Sequence, residues 1–581
     1  MKPPLPMILA LAATLAPPAL AQEPPAQPES TTAIAERASV EAGEFMVAAA
    51  HPLAAKAGYD VLAAGGSAAD AAIAVQVMLG LVEPQSSGLG GGAFLLYWDA
   101  SEGALTSFDA RETAPASAGP DYWLTPDGAA TGFWEAVVGG RSVGVPGVPM
   151  LLETLHARHG RLPWAGLFQP TIDLAEAGFP VSPRLAAAIV ENEPRSLDAF
   201  PETRAYFFAE DGAPLAAGAL RDTPDFARTL RLIAAEGARP FYEGAIAGDI
   251  VAAVRTEANP GELTLADLAA YRVVERAPVC LDYRAWEVCG MGPPSSGGLT
   301  VGQILGMLSS FDLGAPGSNL NADHLFLEAT KLAFADRGLY MADADFVRMP
   351  TAGLLDPDYL ASRAALIDPG RATGAATPGE PPWNEGRLYG PDQDRPEHGT
   401  SHFVIVDRHG DMVSATTSIE TGFGSRVMTN GFLLNNQLTD FAFVPEAEGK
   451  PVANRVEGGK RPRSSMAPTV VFEDGAPALL IGSPGGARII PYVARSLVGI
   501  LDLGLDPQAA IDRPHLTSQG AGPGVDVEEG PGAAETIAAL NALGHEAEAA
   551  NLNSGLHAIE IEDGVLRGAA DKRREGLVLG E

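Results

Sequence analysis

Gly399-Thr400-Ser401-His402-Phe403-Val404-Ile405-Val406 leads through Asp407-Arg408-His409-Gly410 into Asp411-Met412-Val413-Ser414-Ala415-Thr416-Thr417-Ser418-Ile419-Glu420. Residues 401–406 and 412–419 are rich in β-branched and apolar side chains, and Asp407-Arg408-His409-Gly410 between them has a turn composition, so the stretch predicts a β-hairpin. Upstream, residues 371–399 lose all apolar periodicity. Pro378, Gly379, Pro381, Pro382, Gly386, Gly390 and Pro396 interrupt a polar run, which predicts an exposed, mobile segment. Thr400 therefore stands where a loose segment meets the first strand of a hairpin.

That position suits one kind of chemistry. A threonine hydroxyl is a poor nucleophile without a base beside it. If the Gly399–Thr400 bond were cut, the new α-amine of Thr400, titrating near 7.7–8.0, would be that base. Gly399 has no Cβ and allows the scissile peptide an unusual geometry. The Gly-Thr pair alone is common and identifies nothing.

Working outward, Ser67 and Asp70 form a capping-box pattern before a helical run over 68–81, and Gly65-Gly66 closes an earlier one over 52–64. Further helices are predicted over 183–192, 227–237, 323–336 and 487–503. Strands are predicted over 93–98, 431–434, 469–472 and 478–481. Strands concentrated towards the C-terminus with helices to cover them suggest stacked sheets between helical layers. No internal repeat is visible.

The chain has 581 residues, with 39 Lys and Arg against 73 Asp and Glu, for a net charge of −34. This balance disfavours nucleic-acid and membrane-surface roles. Lys2, the apolar run 6–18 and Ala19-Leu20-Ala21 read as a secretory signal over 1–21, with Gln22 the first mature residue. The 22–44 segment, Pro- and Gln-rich at its start, is expected to be disordered. The reading is of a soluble periplasmic or secreted protein. Its two cysteines, Cys280 and Cys289, lie in a strand–turn–strand pattern. With Arg284-Ala285 as the loop they face each other about 4.5 Å apart at Cα, which predicts a disulfide in an oxidising compartment.

Thr400-Ser401-His402-Phe403, Gly410, Val413-Ser414-Ala415-Thr416, Ser418-Ile419-Glu420 and Phe423-Gly424 closely resemble the processing-site signature of the γ-glutamyltransferase (glutathione hydrolase) family of N-terminal nucleophile hydrolases. Asp109-Ala110-Arg111-Glu112-Thr113-Ala114-Pro115, Pro293-Pro294-Ser295-Ser296-Gly297-Gly298, Asn435-Asn436-Gln437, Arg463-Ser464-Ser465-Met466 and Gly482-Ser483-Pro484-Gly485-Gly486 match in the family's order. So do the Gly88–Gly92 run and Asp571-Lys572-Arg573-Arg574, and the likeness spans roughly residues 44–576.

The resemblance implies an α+β fold, a four-layer αββα sandwich. It also implies self-cleavage between Gly399 and Thr400 into a large part, 45–399, and a small part, 400–581, interlocked as one heterodimeric domain. Thr400 would take the γ-glutamyl group of glutathione or another γ-glutamyl amide and pass it to water or an amino acid, with neither metal nor organic cofactor. Gly485 and Gly486 would supply oxyanion N–H groups, and Ser418 would steady the nucleophile. Arg111, Ser464 and Ser465 would hold the substrate carboxylate, and Glu420, Gln437 and Asp440 its ammonium.

Three departures from the family pattern stand out. Ser418 replaces the usual threonine, and Glu420 stands where many members carry asparagine. The connection 441–463 contains no tyrosine, which implies a missing or shortened lid and an open site. An open site leaves room for bulkier amides, as in cephalosporin or glutaryl acylases. The alternatives are therefore such an acylase and, from another class, a secreted binding protein that no longer cuts itself. His402 and His409 are not needed as bases, because the α-amine fills that role.

Overall fold

The hairpin forms, with Thr400–Val406 paired antiparallel to Met412–Ser418 and Thr400 directly opposite Ser418. The computed structural model describes residues 35–314, 320–392, 399–518 and 520–581. The hairpin lies at the centre of a seven-stranded antiparallel sheet in the order Leu577–Gly580, Met46–Ala49, Thr400–Val406, Met412–Ser418, Gly92–Asp99, Ala104–Ala110, Val274–Arg276. A second seven-stranded sheet runs Val40–Ala42, Val565–Ala570, His557–Glu562, Ala476–Gly482, Thr469–Glu473, Trp286–Gly290, Val279–Tyr283. Both sheets mix strands from before and after Gly399.

Side-chain alternation along the strands assigns the layers. Phe403 and Ile405 join a core with helices Pro52–Ala63 and Ala68–Val82, while Val404 and Val406 point the other way, into a core shared with Leu480 and Ile559 of the second sheet. In that second sheet, Leu479 and Ile481 turn away to meet helices Gly297–Leu308, Leu320–Tyr340 and Ile489–Leu497. The order is helices, sheet, sheet, helices: the expected four-layer αββα sandwich.

Local signals act as the sequence predicts at several points. Ser67 and Asp70 close a capping box at the start of Ala68–Val82. Cys280 and Cys289 occupy directly opposed positions across the hairpin and are disulfide-bonded, with a Cα separation of 4.0 Å. Two readings need correction. Of the 22–44 segment expected to be disordered, residues 22–34 lie outside the described residues, but Val40–Ala42 is an edge strand. It pairs with Val565–Ala570, whose outer backbone groups would otherwise lack ladder partners. The 487–503 run is not one helix but a 3₁₀ turn at Gly486–Arg488, the α-helix Ile489–Leu497 and a π turn over Val498–Asp502.

Residues 371–392 contain no helix or strand, as their composition predicts, yet they are tethered to the body. The Gly379 N–H donates to Asp336 (2.7 Å), the Tyr340 hydroxyl to the Gly379 carbonyl (2.7 Å), and the Thr373 N–H to Glu328 (3.1 Å). Buried carboxylates on Leu320–Tyr340 need donors, and the irregular backbone supplies them. The predicted signal, 1–21, lies outside the described residues. Among those described, no helix is long and apolar enough to cross a membrane.

Candidate active site

Register places Thr400 against Ser418. Thr400 shares strand parity with His402, Val404 and Val406, so its side chain points between the sheets, at the end of the inter-sheet layer where that layer opens. It is 3% exposed. Its Oγ1 lies 3.4 Å from the Oγ of Ser418, its cross-strand partner. Ser418 accepts the Glu420 N–H (2.8 Å) and donates to the carbonyl oxygen of Gly399 (2.7 Å). The serine hydroxyl therefore touches the oxygen of the bond preceding Thr400.

Gly399 is confined to glycine for two reasons. Its φ is +71°, and a Cβ there would sit 2.6 Å from the Glu420 carbonyl oxygen and 2.9 Å from the Gly422 nitrogen. On the other side, the Thr400 carbonyl accepts Arg574 Nη1 at 3.2 Å, and Arg574 Nε donates to Asn553 (3.1 Å).

A narrow cleft opens on Thr400 and is lined by Arg111, Ser418, Glu420, Gln437, Asp440 and Ser464, with Met466, Gly486 and Ile489 completing the wall. Gly485 and Ser465 do not line it. Strand Ala476–Gly482 of the second sheet delivers Ser483-Pro484-Gly485-Gly486 opposite the Thr400 strand end. Gly485, at φ +134°, turns the chain into the 3₁₀ turn that starts at Gly486. Among the described residues neither glycine N–H makes a hydrogen bond, which leaves both open to an oxygen.

The charged residues form one buried cluster. Arg111, 1% exposed, donates Nη2 to Asp440 and to the Arg463 carbonyl (3.0 Å), and Nε to the Pro462 carbonyl (3.2 Å). Gln437 Nε2 donates to the same Asp440 oxygen at 2.9 Å, while Gln437 Oε1 is buried and has no hydrogen-bond partner among the described residues. Glu420 accepts from Asn436 Nδ2. Ser464 lines the cleft, and its Oγ accepts the Met466 N–H at 3.1 Å. The Ser465 hydroxyl turns inward to Arg337 (2.7 Å). The cleft thus sets a cation beside two carboxylates and a spare amide oxygen, a pattern complementary to a group bearing both a carboxylate and an ammonium.

Neither histidine is placed to act as a base. His402 lies between the sheets, its Nδ1 2.9 Å from Thr416 Oγ1, and burial beside His557 holds it neutral, well below the usual histidine range. His409 is in the turn at the far end of the hairpin. No lining residue comes from 441–463. That stretch carries the two-residue strands Glu446–Ala447 and Lys450–Pro451, and packs Phe441, Phe443 and Val456 around Trp123.

Sequence reasoning gave no role to Arg574, Asn436, Glu112, Met466 or Ile489. Arg574 and Asn436 sat within quoted motifs, but their contacts to Thr400 and Glu420 are made only by folding. Glu112, fully buried 3.9 Å from Arg111, has a carboxyl pushed up to about 8 by burial against the pull of that arginine.

Comparison with known proteins agrees with this geometry. The gamma-glutamyltranspeptidase family model matches residues 54–580. A glutathione hydrolase proenzyme of Bacillus subtilis (strain 168) is 37% identical, over 92% of this chain and 91% of its own length. An acylase ACY 1 proenzyme of Pseudomonas sp. (strain V22) is 36% identical, over 91% of this chain and 92% of its own. The crystal structure of cephalosporin acylase from Bacillus halodurans superposes with a TM-score of 0.82 at 28% identity, covering 98% of this chain and 99% of that one. A chain matched along nearly its whole length, with a threonine at the mouth of an αββα sandwich, belongs to the gamma-glutamyltranspeptidase family.

Proposed function

We propose that this protein is a self-processing γ-glutamyltransferase and glutathione hydrolase whose nucleophile is Thr400. The observation that carries the reading is the contact between Ser418 and the Gly399 carbonyl, next to a cleft of paired opposite charges. In the single chain, Thr400 Oγ1 attacks the Gly399 carbonyl carbon. Ser418 steadies the oxygen that takes the negative charge. The C–N bond breaks, the Thr400 nitrogen keeps the proton released by the hydroxyl, and water hydrolyses the resulting ester. Because both sheets contain strands from each side of the cut, the fragments stay together as a heterodimer.

The freed α-amine then takes the Thr400 hydroxyl proton as that oxygen attacks a γ-glutamyl amide. Gly485 and Gly486 N–H groups receive the oxyanion. Arg111 with Ser464, and Ser465 behind it, hold the substrate carboxylate, and Glu420, Asp440 and Gln437 Oε1 hold its ammonium. Water or an amino acid completes the cycle. Residues 1–21 direct export, which places the protein in the periplasm or outside the cell, where the Cys280–Cys289 bond persists.

A second reading, an acylase for glutaryl or cephalosporin-type amides, draws on the absence of 441–463 from the cleft wall and on the acylase relatives. It brings no substrate ammonium to the cleft side of Glu420 or to Gln437 Oε1, which favours the first reading.

Intact mass and N-terminal sequencing of wild type and Thr400→Ala, with rates on γ-glutamyl and glutaryl anilides, test both readings. The expected result is two wild-type fragments starting at Gln22 and Thr400, one uncut mutant chain, and faster γ-glutamyl turnover. A folded but uncut wild-type chain would sink the mechanism, and preference for the glutaryl substrate would favour the acylase.

A further inference from the structure

Six residues along the chain from Glu420, the protein buries a guanidinium whose role the reaction does not explain. Arg426 is fully buried, at φ +65°. It donates Nη1 to Thr421 Oγ1 (2.8 Å) and to the Gly424 carbonyl, Nε to the Arg195 carbonyl (3.3 Å), and Nη2 to Asn192 Oδ1 (3.3 Å). All four acceptors are formally neutral. A buried cation among neutral acceptors needs a counter-charge nearby, since leaving water without one is costly. Glu420 is the carboxylate whose field favours the charged form of Arg426, while burial pushes the guanidinium down to about 9 and Arg195 opposes its charge. At neutral pH Arg426 stays protonated.

The two are also joined through bonds. Thr421, held by Arg426, donates both its N–H and its hydroxyl to Asn436 Oδ1, each at 2.9 Å. Asn436 Nδ2 in turn donates to the Glu420 carboxylate. The sequence Arg426–Thr421–Asn436–Glu420 is buried throughout and spans a loop in which Glu420, Phe423 and Arg426 all take left-handed backbone conformations (φ +80°, +68° and +65°). A non-glycine residue holds such a conformation only where its surroundings over-determine it. Thr203 Oγ1 adds a bond to the Arg426 carbonyl (2.5 Å), and the Trp134 ring lies 5.6 Å from the guanidinium.

We propose that Arg426 is a positioning and specificity-determining residue, holding the Glu420 carboxylate aimed into the cleft so that the site selects acyl groups that carry an ammonium. The inference rests on the reading of the cleft given above. A guanidinium fork is needed because four separate acceptors are held at once, which a lysine ammonium does less well.

The test compares wild type, Arg426→Lys, Arg426→Gln, Glu420→Gln and the Arg426→Gln/Glu420→Gln double variant. Each is first shown by mass to be cut at Thr400, then assayed on γ-glutamyl and glutaryl anilides. Arg426→Gln is expected to raise KM for the γ-glutamyl substrate roughly 5–20-fold, with kcat changed less than about 3-fold and glutaryl KM unchanged. Arg426→Lys should lie between it and wild type. The double variant should be no worse than Glu420→Gln, because the two residues act as one.

Equal losses on both substrates, or additive losses in the double variant, would overturn the proposal and leave Arg426 as scaffold. If Arg426→Gln does not fold, Arg426→Lys decides by the same comparison. If even Arg426→Lys cannot be cut, Arg426 serves the fold and the proposal fails. Wild type that prefers the glutaryl substrate defeats the underlying reading instead, which is a distinguishable failure.

Discussion

The two halves of the site are built by different means. Thr400 and Ser418 are held by a ladder, in strands with neighbours on both sides, so their approach is set by register and repeated along the whole hairpin. The residues facing the expected substrate head group are held by side chains. Arg111 is fixed by Asp440 and two carbonyls, and Glu420 by Asn436, the latter in a loop containing left-handed residues. A ladder spreads its stability over many backbone bonds, whereas a loop network concentrates it in a few. Chemistry is therefore expected to tolerate change around it better than recognition does, except where the ladder meets the Gly399–Thr400 bond.

That exception gives the largest expected effect. Gly399→Ala places a Cβ against the Glu420 carbonyl at a positive φ, and should slow self-cleavage at least about 10-fold through strain on the order of 1–3 kcal/mol. Timed gel analysis of freshly refolded chain measures it, and unchanged cleavage would mean that the backbone at 399 is not held as described.

On the recognition side, Arg111→Lys keeps the charge but loses the fork. KM for a γ-glutamyl amide should rise about 10-fold, with self-cleavage intact. A cleavage defect of equal size would break the distinction between the two halves.

The last effect concerns the layer between the sheets and is read as stability rather than as rate. His557 is pushed down to about 3 and His402 well below its usual range, both chiefly by burial. Each stays neutral when folded, while the unfolded chain takes up a proton below about pH 6.5. Stability should then be complete above that pH and fall on acidification by up to about 1.4 kcal/mol per pH unit for each histidine, until the folded value is reached. Urea midpoints at about pH 7 and about pH 5.5 check this, with His557→Asn expected to flatten the slope. A midpoint independent of pH would refute it.

Local patterns were legible where the physics is local. The capping box at Ser67 and Asp70, the hairpin ending at Ser418 and the cysteine pair follow from nearest-neighbour geometry. Val40–Ala42 escaped notice because its pairing partner lies more than five hundred residues away along the chain. The tethering of residues 371–392 escaped notice because its bonds run to buried carboxylates of a helix that is complete without them. The link from Arg574 to Thr400 is of the same kind.

By itself, the sequence determined that Thr400 opens a strand, that Ser418 belongs to the paired strand, and which charged residues were available. Only the tertiary structure decided that Ser418 touches the Gly399 carbonyl, that Arg111 pairs with Asp440, that Ser465 turns to Arg337, and that Arg426 is linked to Glu420 through Thr421 and Asn436. The reason is that strand periodicity depends on adjacent residues. A buried charge instead selects its partner from whatever the packed layers bring within a few ångströms, and the order of residues along the chain does not specify that set.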